Sequence, residues 1–322
     1  MLAAIESALR DLQHYPDPDY GMLREALGRH HHLHSDQILP GNGAAELLNW
    51  ACRDLALSDG VLLPVPAFGD YSRALEAFDA RFVPCPLLQR QTWLKTDAIL
   101  EMLLRRARNY RRPGLLLNNP HNPTGLLLPR EGLLTLLEVF DPVVVDEAFM
   151  DFLPPDRQQS LLDLVCRYPN LVVVRSQTKF YCLPGLRLGY AVGDPQRLQR
   201  WRRWRDPWTV NSLAAAAAIA AVDDVAFQRL TWNWLQRARP QLYVGLEGIP
   251  HLNPLSGAVN FLLVNCDRSV TQLQETLLRS HRILIRDCLS FPELGDRYFR
   301  VAVRTLEDNQ RLLSALETEL AT

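Results

Sequence analysis

Apolar residues recur at Leu2, Ile5, Leu9 and Leu12, a spacing that predicts a helix over residues 1–14. Pro16 and Pro18 turn residues 14–19 into a loop. Further helices are predicted over residues 21–31 and 44–55, the latter opened by Gly41-Asn42-Gly43. The period then changes. Residues 61–63 form a short apolar run, 71–78 look helical and 81–83 read as a strand. Residues 115–117, 143–145 and 171–174 are unbroken apolar runs between polar loops, as expected of strands buried on both faces. Strands alternating with helices argue for an α/β fold with a mostly parallel sheet covered by helices. After about residue 210 a long helical region, 212–247, leads to strands predicted at 259–264, 283–285 and 300–303. That is the pattern of a smaller α+β domain. The chain therefore divides into an N-terminal segment (1–20), a large domain (21–210) and a small C-terminal domain (211–322).

Composition adds mainly exclusions. Of 322 residues, 48% are hydrophobic and 22% charged, enough for a large core. A formal net charge of −1 gives no general attraction to nucleic acid or to an anionic membrane, and neither is expected as a partner. The apolar run at 213–222 is too short to span a bilayer. The N-terminus lacks the basic and apolar regions of a signal peptide. Six scattered cysteines contain no CxxC pair, which fits reduced, mostly buried thiols in a cytoplasmic protein and no metal site.

The candidate chemistry sits at the C-terminal ends of the buried runs, the edge where open α/β sheets bind ligands. After 115–117 comes Asn118-Asn119-Pro120-His121-Asn122-Pro123-Thr124-Gly125. After 143–145 comes Asp146-Glu147-Ala148-Phe149. After 171–174 comes Arg175-Ser176-Gln177-Thr178-Lys179, with Arg187 eight residues beyond the lysine. Singly, each is an ordinary turn or strand end; their joint order carries the signal. All have a task if the ligand is a pyridine aldehyde bearing a phosphate. Lys179 supplies an amine for an imine. Asp146 keeps the ring nitrogen protonated, and Asn122 donates to the ring's phenolic oxygen. Gly43 and Ala44, at a helix start, offer backbone N–H groups to the phosphate, joined by Ser176, Thr178 and Arg187.

These stretches, N-x-P-x-N-P-T-G, D-E-A-F and S-x-T-K-x-x-x-x-P-G-L-R-x-G-Y, resemble the fold-type I pyridoxal-phosphate enzymes of the class I/II aminotransferase superfamily over nearly the whole chain. The resemblance implies pyridoxal 5′-phosphate as cofactor, Lys179 as its lysine and Asp146 as the pyridinium partner. It also implies that Phe68 stacks on the ring. Tyr15 matches a tyrosine that reaches the neighbouring subunit's cofactor phosphate, which implies a homodimer. Within the superfamily the chain is most similar to the threonine-phosphate decarboxylases of cobalamin biosynthesis, which form (R)-1-amino-2-propanol O-2-phosphate. Histidinol-phosphate aminotransferases come next. The lysine loop, Pro207-Trp208-Thr209-Val210-Asn211 and the stretch around Arg286 favour the decarboxylases. So does Phe149, where the aminotransferases typically have a tyrosine that contacts the cofactor. The resemblance implies a phosphorylated amino acid as substrate, with Arg286 and Arg300 as clamps for its two anions. Members usually carry an arm with a His-Gly-Gly stretch ahead of the first helix. Here Met1 falls inside that helix, so the expected N-terminal segment packs with the small domain and lacks the arm.

Two other features suggest chemistry and are read as structural. His30 and His34 share a helical face, but no nearby acid or cysteine completes a metal site. Trp201-Arg202-Arg203-Trp204-Arg205 could stack on single-stranded nucleic acid, but it is better read as a half-buried helix.

Overall fold

In the computed structural model, which describes residues 1–321, the chain opens with α1 (Leu2–Ala8). This helix tightens into a 3-10 turn over Leu9–Gln13 instead of continuing to residue 14. Helix α2 (Gly21–His31) ends where His32 takes a left-handed φ of 56°. His34 therefore lies outside the helix, and the expected shared face with His30 does not exist. Among the described residues no group of three or more His, Cys, Asp or Glu could hold a metal ion.

Strand β1 (Ile38–Asn42) is not anticipated by the hydrophobic pattern. It absorbs Gly41 and Asn42, so helix α3 (Gly43–Leu55) begins directly at the strand end. Next come β2 (Gly60–Val65), α4 (Gly69–Ala77) and β3 (Phe82–Pro86). A small hairpin follows, formed by β4 (Leu88–Gln89) and β5 (Thr92–Trp93). The large region is completed by α5 (Thr96–Ala107), β6 (Pro113–Asn118), α6 (Arg130–Leu137), β7 (Val143–Asp146), β8 (Leu171–Ser176), α7 (Gln177–Phe180), β9 (Leu188–Gly193) and α8 (Pro195–Trp204). Seven of these strands make one sheet in the order β1-β9-β8-β7-β6-β2-β3. Pairing is parallel from β3 through β8, and β9 is antiparallel to both of its neighbours.

The predicted helical region 212–247 is two helices, α9 (Ser212–Val222) and α10 (Val225–Glu247). A second, four-stranded antiparallel sheet combines β10 (Leu252–Pro254), β11 (Phe261–Cys266), β12 (Arg286–Asp287) and β13 (Tyr298–Ala302) in the order β10-β11-β13-β12. Helices α11 (Val270–Thr276) and α12 (Leu306–Leu320) accompany it. The strand predicted at 283–285 is displaced: Ile285 is buried in the core, and the ladder begins at Arg286. Likewise β11 starts at Phe261 rather than at Val259, which is buried ahead of the strand.

Helix α1 packs along α9, and Met1 lies against the core beneath the small sheet. Residues of α9 contribute to both cores, Ala214 and Ala218 to one and Ala221 to the other. On α8, Trp201 is fully buried and Trp204 lies under the Arg53 guanidinium, 4.4 Å from its centroid. The Trp/Arg stretch is thus a half-buried helix whose second tryptophan face is already covered. Cys52, Cys85, Cys266 and Cys288 are buried and Cys166 and Cys182 exposed, all as free thiols. Among the described residues no helix is long and apolar enough to cross a membrane.

Candidate active site

Along β6, β7 and β8 the side chains alternate between two cores. Leu115, Leu117, Val143, Val145, Leu171 and Val173 enter one. Leu116, Val144, Val172 and Val174 enter the other, which α3 and α4 cover. Continuing this period of two places Asn118, Asp146 and Ser176 on the α3/α4 face, where the strands end. A cavity of about 440 Å³ opens there, and Lys179, Asp146, Asn122 and Arg187 all line it.

Asp146 is 5% exposed. Its Oδ2 accepts from the Tyr71 hydroxyl at 2.5 Å and its Oδ1 from the Ala148 N–H at 2.9 Å. Burial pushes its carboxyl above the usual range, opposed by those two bonds and by the Lys179 ammonium. Tyr71 is a site residue that sequence reasoning missed. The available signal was its i,i+3 spacing from Phe68 across the start of α4, which aims both aromatics the same way. Asn118 ties the neighbouring loop to β7: its Nδ2 donates to the Asp146 carbonyl at 2.8 Å, and its Oδ1 accepts from the Asn122 N–H at 2.6 Å.

Lys179 stands on the single turn of α7, capped by the Ser176 hydroxyl, which accepts from the Thr178 N–H. The next residue anchors the turn. Phe180 is buried against the rings of Phe152, Tyr181, Phe227 and Trp232. The lysine side chain points into the open cleft. Desolvation lowers its pKa, and the guanidinium groups of Arg187 and Arg300 lower it further, against the pull of Asp146. An amine held this way is more readily present as the free base, as nucleophilic chemistry requires.

At the other end of the cavity Gly43 has a φ of +75°, and a Cβ there would lie 2.6 Å from Nη2 of Arg187. The guanidinium therefore rests against the first residue of α3. Gly189 lets β9 approach equally closely, since a Cβ on it would meet the Ala44 nitrogen at 2.6 Å. The Ser176 and Thr178 hydroxyls are 2.7 Å apart beside this cradle. The anion site is narrower than the Gly41-Asn42-Gly43 motif suggests, because the Asn42 N–H is bound to Glu46 at 2.6 Å. A Gly43→Ala variant forces an L side chain into the left-handed region, at a cost of about 1–3 kcal/mol. Titration of the cofactor-free protein should show pyridoxal-phosphate affinity weakened roughly 10-fold or more. Parent affinity would place the phosphate elsewhere.

Arg300 reaches the same cavity from the small sheet. Its Nη1 donates to Asn122 Oδ1 at 2.5 Å, and its guanidinium sits 4.9 Å from the Phe261 ring centroid. Arg286 is its direct cross-strand partner. Both also line an adjoining chamber of about 600 Å³ that includes Lys179 and Phe149. Phe149 packs edge-on against Phe261. Phe68, 40% exposed, borders the cavity. Tyr15 is not in this cavity; it is 80% exposed and rests on Trp208, ring centroids 4.8 Å apart.

The residues fit pyridoxal phosphate. A backbone cradle with two hydroxyls and a guanidinium suits the phosphate, a buried carboxylate suits the ring nitrogen, and an amine of lowered pKa suits the aldehyde. Fold and site together define a fold-type I pyridoxal-phosphate enzyme. The chain belongs to the aminotransferase class I and II family, whose model matches residues 1–316. It is 38% identical to a threonine-phosphate decarboxylase of Salmonella typhimurium, over 99% of this chain and 88% of that one. It is 31% identical to a histidinol-phosphate aminotransferase of Methanothermobacter thermautotrophicus, over 97% and 83% of the two chains. The crystal structure of histidinol-phosphate aminotransferase from Sinorhizobium meliloti in complex with pyridoxal 5′-phosphate superposes with a TM-score of 0.84 at 25% identity, covering 99% of this chain and 86% of that one.

Proposed function

We propose that this chain decarboxylates O-phospho-L-threonine to (R)-1-amino-2-propanol O-2-phosphate, in the service of cobalamin biosynthesis. The observation that carries this reading is the Arg286–Arg300 pair beside Lys179, two guanidinium groups for a substrate with two anions. The 38% identity to a threonine-phosphate decarboxylase supports it. When bound, pyridoxal phosphate supplies a ring that takes up the electron pair of whichever bond at Cα stands perpendicular to it. Arg286 and Arg300 choose that bond, because holding the substrate's phosphate and carboxylate fixes its rotation about Cα. Asp146 would hold a proton at the ring nitrogen, Asn122 would donate to the phenolic oxygen and Phe68 would stack on the ring. Gly43, Ala44, Ser176, Thr178 and Arg187 hold the cofactor phosphate, and Phe149 closes the substrate side. Lys179 carries the cofactor and returns a proton to Cα after CO2 leaves. We further propose a cytoplasmic homodimer in which Tyr15 reaches the partner's cofactor phosphate. Its high exposure, outside this chain's own cavity, supports that arrangement.

Incubation with pyridoxal phosphate and O-phospho-L-threonine, followed by mass spectrometry, tests the reaction. The expected product has lost CO2 and kept its amino group, with no requirement for 2-oxoglutarate. Stoichiometric consumption of 2-oxoglutarate with histidinol phosphate, and no CO2 from phosphothreonine, would instead establish the aminotransferase reading that the 31% relative supports.

A further inference from the structure

The alternation that turns Asp146 and Ser176 toward the cofactor cavity turns their neighbours, Glu147 and Arg175, to the opposite side of the sheet. Both are charged and buried there, Glu147 at 0% and Arg175 at 2% exposure. Arg175 Nε donates to Glu147 Oε2 at 3.0 Å, Nη2 to Ser160 Oγ at 3.0 Å, and Nη1 to Asp151. Glu147 also accepts from the Ser160 hydroxyl at 2.7 Å and from the Leu161 N–H at 2.8 Å. All three guanidinium nitrogens and both carboxylate oxygens are therefore engaged. The Asp151 carbonyl in turn accepts from Trp232 Nε1 of α10 at 2.8 Å.

This network sits where the sheet's own restraint runs out. The ladder between β7 and β8 ends with Asp146 opposite Val174 and one further bond, Glu147 N–H to the Val174 carbonyl, at 2.8 Å. Beyond that point no ladder bond joins the two strands. We propose that Arg175 and Glu147 are positioning residues for the cofactor: joined behind the sheet, they fix the spacing of the two strand ends that carry Asp146 and Ser176–Lys179 in front of it. Apolar residues could fill the same space. They would not reproduce a planar fork bonded at three nitrogens, which sets direction as well as distance. The inference depends on the cofactor, not on the substrate, so it survives if the decarboxylase reading fails.

The test uses the full-length chain stripped of cofactor, in three forms: Glu147→Gln, Arg175→Lys, and Glu147→Met combined with Arg175→Met. The double variant removes the buried Arg175–Glu147 pair as a unit, a change that buried pairs often tolerate, and leaves only the partly exposed Asp151 without its guanidinium partner. Folding is followed by circular dichroism and thermal melting. Pyridoxal-phosphate affinity and the pH midpoint of the bound cofactor's absorbance are followed by titration. The double variant should fold and melt near the parent, yet bind cofactor roughly 10-fold more weakly, the scale on which outer partners of a bound group act. Its absorbance midpoint should move as well, and Arg175→Lys should recover part of both losses. A purely structural pair would change melting alone. Folded variants with the parent's affinity and midpoint overturn the proposal. If the double variant does not fold, the two single variants decide on the same readout.

Discussion

Lys179→Ala is expected to remove essentially all turnover, by a factor on the order of 10⁴ or more, since it deletes the amine proposed both to carry the cofactor and to return the proton to Cα. The fold should survive. The side chain projects into an open cleft, and the turn that bears it is held by Ser176 on one side and by the aromatic cluster around Phe180 on the other. Cofactor binding should weaken but persist, because the cradle at Gly43 and Arg187 and the carboxylate of Asp146 are untouched. Steady-state kinetics and the absorbance of the bound cofactor separate the two effects. Turnover within tenfold of the parent would exclude Lys179 from the reaction.

Asp146→Asn should have the second-largest effect. Asparagine can keep Oδ1 accepting from the Ala148 N–H while its Nδ2 donates to the Tyr71 hydroxyl oxygen, so the frame remains with one bond reversed. What disappears is the charge proposed to keep the ring nitrogen protonated. Removing one member of a buried pair costs about 3–5 kcal/mol, or roughly 10² to 10³ and above in kcat/KM. Without cofactor the sign reverses. Burial raises the carboxyl's pKa in the folded state, so the native protein binds this proton more tightly than the unfolded chain does. That contribution to stability is present in full below the ordinary carboxylate pKa and is lost as pH rises through the raised folded value. The cofactor-free asparagine variant should therefore melt no lower than the parent at neutral pH, while the loaded variant melts lower than loaded parent. A kcat/KM within a few-fold of the parent would refute the pairing role.

The sequence shows the central sheet clearly, because strands covered on both faces leave unbroken apolar runs such as 115–117 and 171–174. Strand β1 is obscured by Pro40 and Gly41, residues that ordinarily argue against a strand. Its place at the sheet edge tolerates them: Pro40 stands opposite Tyr190 of β9, but β1 has a neighbour on one side only, and an edge strand is where a proline is accommodated. The apolar run at 283–285 misleads for the opposite reason: Ile285 serves the core, and pairing falls to the polar residues that follow. The front of the site is legible because its residues lie together along the chain at strand ends. Tyr71 and the Arg175–Glu147 pair are not, because they meet their partners across separate elements, at separations of 75 and 28 residues. Proximity along the chain does not report contacts of that kind.

The facing arginines of the small sheet carry a further consequence. β12 is only two residues long, and one of its two pairings sets Arg286 against Arg300. Like charges opposite one another weaken a ladder, by an amount on the order of a few tenths to 1 kcal/mol. On the proposed function, a substrate bearing two anions would supply counterions to both, and its binding would stabilise the folded state by mass action. The sheet edge would then be coupled to occupancy, fraying most readily in the empty enzyme, with part of the binding free energy going into completing the fold.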